Sequence, residues 1–216
     1  MLKQGLFALA LLASTAASAV TIAWTDWTTA GVASAGGTIA APGGSIDVVY
    51  SGPYSFVQTG CGTAYWNPGT YNGAFNKPPS CDIVALTAGG LKTIAFDKPV
   101  TDPYMALMSW NNNTVVFSAD IEVVSNGSGF WGSGTPIVNA NDDGFFGQGE
   151  VHAIIKFPGT FTSISFTDTS ENWHGFTIGV ADVAAPPIPE PATWTMLLLS
   201  LGLLAAASRR RSADLR

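Results

Sequence analysis

Before Ala192 no stretch of this chain sustains a helical period, and glycines and prolines punctuate most of it at short intervals. The sequence holds 24 glycines and 13 prolines, and inside a helix each costs about 1 and about 3 kcal/mol respectively. What survives between the interruptions is short, apolar and rich in β-branched residues. Such runs predict strands near residues 20–24, 45–50, 83–86, 92–96, 104–110, 114–117, 119–124, 151–157, 161–167 and 176–182. About ten strands joined by Gly, Asn, Asp and Pro turns indicate an all-β fold, a two-sheet β-sandwich with a jelly-roll-like arrangement favoured over a meander. The last pair shows the pattern best. Ile164 and Phe166 alternate with Ser163 and Ser165, and Phe176, Ile178 and Val180 alternate with Thr177 and Gly179, giving each strand one apolar face. The phrase from Phe161 to Val180 looks like the closing strands of jelly-roll carbohydrate-binding modules, a generic likeness.

The length of 216 residues suits one such domain, not two. Between Val20 and Pro186 there are thirteen Asp and Glu against Lys77, Lys92, Lys98 and Lys156 and no arginine, a formal charge of about −9. Nucleic-acid affinity rests on cations that neutralise phosphates, so this body is not expected to bind nucleic acid. Acidic glycans are disfavoured for the same reason.

Both ends read as addresses. Met1-Leu2-Lys3, an apolar run from Leu6 to Ala13 and the small residues Ala17-Ser18-Ala19 form a secretory signal at residues 1–19, with cleavage expected after Ala19. The folded body is then expected at 20–183. At 184–191 a Pro-rich linker, stiff and extended, ends in Pro189-Glu190-Pro191, and Trp194 follows. Residues 192–208 form an apolar segment, about 25 Å long as a helix and short but workable for a bilayer. Arg209, Arg210 and Arg211 open a basic tail at 209–216, which the positive-inside rule keeps in the cytoplasm. The signal and the tail thus imply one topology, with the body outside.

The stretch from Ile188 to Arg211 resembles the PEP-CTERM sorting domain of Gram-negative bacteria: Pro-Glu-Pro with Trp three residues on, a short helix rich in Leu, Gly and Ala, and an arginine cluster near the chain end. The resemblance implies export by the secretion machinery and transient inner-membrane anchoring with the body in the periplasm. It also implies processing by an exosortase near Pro189–Pro191 and release or transfer to the cell surface, with the chain as substrate. By association it implies an exopolysaccharide or biofilm setting. The prolines around Glu190 hold that segment extended and remove amide donors, as an accessible processing site requires.

Cys61 and Cys81 are the two cysteines. In an exported chain an isolated pair forms a disulfide, and a loop of about twenty residues stabilises by roughly 3 kcal/mol. The bracketed segment contains Tyr65, Trp66, Tyr71 and Phe75. Tyr65, Trp66 and Tyr71 are candidate ligand-stacking residues, since flat rings on a stapled loop suit sugar faces; the alternative is that these aromatics cover one end of the sandwich. A second segment spans Asn139 to Glu150. Asn139, Asn141, Asp143 and Glu150, with Gly144 for a turn, reproduce the spacing of a calcium loop, though Asn replaces the usual first Asp and no helices flank it. The alternative there is a polar turn at Asp143-Gly144.

No catalytic cofactor is indicated, and no serine elbow, metal helix or phosphate loop accompanies His152 and His174. Glu171-Asn172-Trp173-His174-Gly175 reads as a surface turn with Trp173 inward. Glu150 and Glu171 would suffice for glycoside hydrolysis, but thirteen acids supply such a pair by chance. The reading is therefore a non-enzymatic surface or matrix protein that binds polysaccharide, with a protein-adhesion module and a secreted glycan-active enzyme as the alternatives.

Overall fold

The computed structural model describes residues 21–66, 69–71 and 76–181. The signal segment 1–19 and everything from 182 onward, including the linker, the 192–208 segment and the basic tail, lie outside the described residues. The described residues form fourteen strands: β1 (Ile22–Gly31), β2 (Ser34–Ala41), β3 (Gly44–Ser51), β4 (Phe56–Gln58), β5 (Ile83–Leu86), β6 (Gly90–Thr101), β7 (Tyr104–Trp110), β8 (Thr114–Phe117), β9 (Glu122–Gly129), β10 (Gly132–Val138), β11 (Gly144–Gly149), β12 (Val151–Lys156), β13 (Thr160–Asp168) and β14 (His174–Ala181). A 3-10 turn at Gly69–Tyr71 is the one helical element among the described residues.

All pairings are antiparallel, in the order β1-β2-β3-β6-β13-β8-β11-β10-β9-β12-β7-β14-β5-β4. Strands β6 to β13 carry jelly-roll winding: β6-β13-β8-β11 lie side by side in one layer and β7-β12-β9-β10 in the other. Strands β1–β3 extend the first layer beyond β6, and β14, β5 and β4 extend the second beyond β7. Two strands serve both layers. Residues Ile22–Trp24 of β1 pair with β14 and Thr25–Gly31 pair with β2, while β10 pairs with β11 and, at its start, with β9. The sheet edges at these corners are thereby closed.

The layers face each other across one large core. Trp27, Tyr50, Phe96, Phe117, Phe145 and Phe166 enter it from the first layer; Leu107, Trp110, Phe176 and Ile178 enter from the second. All seven residues of β7 are buried, because Met105 and Leu107 point into this core while Tyr104, Ala106 and Met108 point into a second cluster on the opposite face. That second cluster is roofed by the loop between β4 and β5, whose Trp66 and Tyr71 pack on Ile22, Trp24, Ile83 and Ile154. The Cys61–Cys81 bridge, with Cα atoms 4.4 Å apart, closes this roof. A strand buried on both faces reads as a continuous apolar run rather than an alternating one, as Tyr104–Trp110 does.

Beneath one end of the core is a buried ionic group. Lys92 of β6 is wholly buried, its Nζ donating to the carbonyls of Ala88 at 2.8 Å and Gly90 at 3.3 Å and to Asp168 Oδ1. Asp168 Oδ2 contacts His174 Nε2 at 2.8 Å. Burial alone lowers the His174 pKa, but its hydrogen bond with Asp168 and the nearby Glu171 outweigh this and hold it above the ordinary histidine value.

Candidate functional site

The sequence candidates separate once folded. Trp66 is 1% exposed and its indole N–H donates to the Asp82 carbonyl at 3.3 Å. Tyr71 is wholly buried, with its hydroxyl donating to the Leu107 carbonyl at 2.5 Å and lying 3.1 Å from His152 Nδ1. The phenol has one proton, so with that proton on the Leu107 carbonyl the imidazole donates from Nδ1. Burial pushes the His152 pKa down to about 4, partly offset by the Glu150 charge, so His152 is a neutral core residue. Trp66 and Tyr71 are roof, not ligand platform. Tyr65 alone of the three reaches the surface.

The expected cation loop is not assembled. Asn139 Nδ2 donates to Asp143 Oδ1 at 2.7 Å, and Asn139 Oδ1 accepts from the amides of Asn141 and Asp143, which makes a self-satisfied polar turn with Asp142 in the left-handed region, φ 59°. Gly144 opens β11 instead of completing the turn, and at about 3.4 Å per residue the extended strand carries Glu150 on the order of 20 Å from Asp143. Glu150 has other partners. Its carboxylate accepts from Ser109 Oγ and, at 2.7 Å, from Asn111 Nδ2. Among the described residues no group of three or more His, Cys, Asp or Glu side chains is placed to hold a metal ion.

Glu150 instead joins Glu171. A cavity of about 440 Å³ is lined by Ser109, Asn111, Asn112, Glu150, Ser170, Glu171 and Asn172, with Trp131 and Trp173 as aromatic walls. That size falls within the range of small-molecule sites. Asn111 ties the two carboxylates together, since its backbone N–H donates to Glu171 Oε2 at 2.7 Å while its side-chain amide holds Glu150. On its buried side Glu171 Oε1 lies 3.4 Å from His174 Nδ1, an ion-pair contact rather than a well-aligned hydrogen bond. Burial raises the Glu171 pKa above the ordinary glutamate value; His174 and the Asn111 amide oppose the rise and the Glu150 charge adds to it.

A register break builds the floor. Val151 pairs with Trp110 and Ala153 with Leu107, so β7 carries one residue more than β12 and bulges at Met108–Ser109. Ser109 adopts φ 57° there, a conformation that costs a non-glycine residue about 1–3 kcal/mol. The bulge re-aims the strand, and Ser109 Oγ meets Glu150 in the cavity instead of joining either core.

The walls come from separate elements. Phe130 and Trp131 form the tip of the β9–β10 hairpin and are 44% and 46% exposed. Trp173 belongs to the β13–β14 loop, Tyr65 to the stapled loop and Phe56 to β4. Their rings form one array: Trp131 to Trp173 4.6 Å, Phe130 to Trp131 4.7 Å, Tyr65 to Trp173 5.4 Å, Tyr65 to Phe130 5.5 Å and Phe56 to Trp173 6.3 Å between centroids. The expected inward turn of Trp173 holds in part: it is half-buried and packs against the second cluster, while another part of it lines the cavity, and His174 beside it is fully buried. Sequence reading missed Trp131 and Phe130 altogether. The available signal was Gly-Ser-Gly-Phe-Trp-Gly-Ser-Gly, an aromatic pair set among small residues where a hairpin tip ordinarily takes Asn-Gly or Asp-Gly.

Residues 187–211 match the family model of the PEP-CTERM protein-sorting motif. No curated protein and no solved structure matches the chain. The motif marks an exported chain with a membrane-anchored sorting signal whose processing partner is an exosortase.

Proposed function

We propose, from the premise that this chain carries an exosortase sorting motif, that its β body is a non-catalytic saccharide-binding module displayed at the cell surface or in the extracellular matrix of a Gram-negative bacterium. The carrying observation is the cavity between Trp131 and Trp173 with Ser109, Asn111, Glu150 and Glu171 at its floor. Sugar rings present apolar C–H faces and a girdle of hydroxyls, and they bind where aromatic faces stand beside fixed hydrogen-bonding groups. Four of the five rings in the array lie on loops or a hairpin tip, held by a sandwich that is rigid beneath them. An exopolysaccharide is the natural partner for a module released outside the cell.

The two glutamates also favour a second reading, a glycoside hydrolase in which the raised pKa of Glu171 would suit a general acid. Binding is preferred because each carboxylate is already held by Asn111, with Ser109 and His174 as further partners, which fits a fixed hydrogen-bonding floor. The test is affinity electrophoresis of the mature body against neutral β-linked polysaccharides and the producing organism's own exopolysaccharide, with reducing-end release measured in parallel. Retardation that disappears in both Trp131→Ala and Trp173→Ala, without release of reducing ends, is expected. Unretarded parent protein on every polysaccharide refutes the module, and hydrolysis lost in Glu171→Gln would replace it with the enzyme.

A further inference from the structure

The cavity's charge narrows its ligand. Among the described residues Glu150 and Glu171 are its two ionisable lining groups, and no lysine, arginine or histidine lines it. The basic side chains behind the floor, His174 and Lys92, are wholly buried and engaged with the inner side of Glu171 and with Asp168. Neutral donors hold the outer carboxylates: Ser109 and the Asn111 amide on Glu150, the Asn111 N–H on Glu171. Each carboxylate has about four lone-pair sites, so accepting capacity remains unfilled, while the Asn111 amide is already donating inward. The floor therefore asks for donors and positive charge. The Trp131 and Trp173 faces beside it attract a cation through their quadrupoles and a ring through its apolar face. The body's formal charge of about −9 adds a long-range field of the same sign.

We infer that the site selects a saccharide bearing free amines, a polymer of partly or wholly de-N-acetylated amino sugar, with an ammonium against Glu150 and Glu171 and a pyranose face on Trp131 or Trp173. This rests on the saccharide reading and adds charge selection to it. Uronate polymers are repelled by the same carboxylates. N-acetylation removes the positive charge and replaces donors with a bulky acetamide, so the acetylated form keeps only the ring stacking.

The experiment is isothermal titration of the mature body with hexamers of β-1,4-glucosamine, its N-acetylated counterpart and oligogalacturonate, in low and high salt near neutral pH. The amine hexamer is expected to bind about five- to tenfold tighter than the acetylated one, the size of one partly desolvated ion pair and cation–π contact. High salt should erase the preference, as should Glu150→Gln; Trp131→Ala should weaken both hexamers. The salt arm needs no variant and so stands even if Glu150→Gln disturbs the Ser109 bulge, which a thermal melt reports. Equal affinities, or tighter binding of the acetylated hexamer with dependence on Trp131, overturn the charge selection and leave the saccharide module intact. No binding of any hexamer or polysaccharide overturns both.

Discussion

Trp66→Ala separates roof from platform, because the structure assigns opposite consequences to two tryptophans that look alike in sequence. Trp66 is 1% exposed, packs edge-on against Tyr71 at 5.1 Å and caps Asp82 through its indole N–H. Truncating a buried Trp costs about 3–5 kcal/mol through lost burial and the cavity left behind. The roof is already committed by its disulfide and cannot slide in to fill the gap, which places the cost in the upper half of that range. In a domain of this size 1 kcal/mol moves the midpoint by about 2–4 °C, so Trp66→Ala should lower Tm by roughly 8–20 °C. Trp131 at 46% exposed gives up three ring contacts and no core volume; at the low end of aromatic-pair energies, as its exposure implies, that is roughly 1.5 kcal/mol, or about 3–6 °C. Circular-dichroism melts and saccharide retardation on both variants provide the assay. Below its midpoint Trp66→Ala should still bind, and Trp131→Ala should stay folded and fail to bind. A Trp66→Ala variant that melts with the parent yet has lost binding would refute the assignment.

Three further outcomes follow from the packing. Replacing both Cys61 and Cys81 by alanine should cost about 3 kcal/mol on the chain-entropy account and loosen Tyr65, so affinity should fall along with Tm. Lys92→Met alone removes the ammonium from the buried Asp168 carboxylate, which keeps its contact with His174 Nε2, and should cost about 3–5 kcal/mol; adding Asp168→Asn should recover part of the loss, a coupling that a double-mutant cycle on melting data reads. His152 titrates near 4 when folded against about 6.5 unfolded. The unfolded chain therefore takes up the proton first, and this group's contribution to stability is lost as pH falls from about 6.5 toward 4, by up to about 3 kcal/mol. His152→Gln should gain on the parent across that window in urea unfolding, and a constant difference between the two would contradict a neutral buried imidazole.

Strands with large β-branched or aromatic side chains could be read from sequence to the residue: β5, β7 and β8 fall where the apolar runs at 83–86, 104–110 and 114–117 place them. Strands β2, β10 and β11 could not, because Ser34–Ala41, Gly132–Val138 and Gly144–Gly149 are interrupted by the glycines, and in β10 by Pro136, that ordinarily mark turns. Their glycines are there for close approach. A Cβ on Gly147 would lie 2.3 Å from the Trp110 carbonyl oxygen, and one on Gly134 would lie 2.5 Å from the Gly149 backbone carbon. Local pattern carries no information on how near a neighbouring strand comes, so the same letters serve loop and strand. The jelly-roll winding was legible as a class from strand number and spacing. Its corner at β1 depends on a pairing with β14 more than a hundred and fifty residues away, and its corner at β10 on one short strand switching between two near neighbours, β9 and β11.

The site divides in the same way. The stapled loop and Tyr65 were visible, because cysteines and aromatics declare themselves. Whether a ring faces in or out depends on what lies on the other side of it: Trp66 meets Ile83 and Tyr71, and Trp131 meets solvent. Glu150 was read as part of a twelve-residue cation loop when its partners are Ser109 and Asn111, some forty positions earlier. The bulge that brings Ser109 to it leaves no mark in the local sequence beyond a polar residue closing an apolar run.

The account depends on a β body set free outside the cell from an address at either end. Intact-mass spectrometry of the protein recovered from the producing organism's surface and medium tests this directly. A species beginning at Val20 and ending between Ile188 and Ala192, with Cys61 and Cys81 oxidised, is the predicted result. Full-length chain in the cytosol, with residues 1–19 and 192–216 retained and both thiols free, would contradict it.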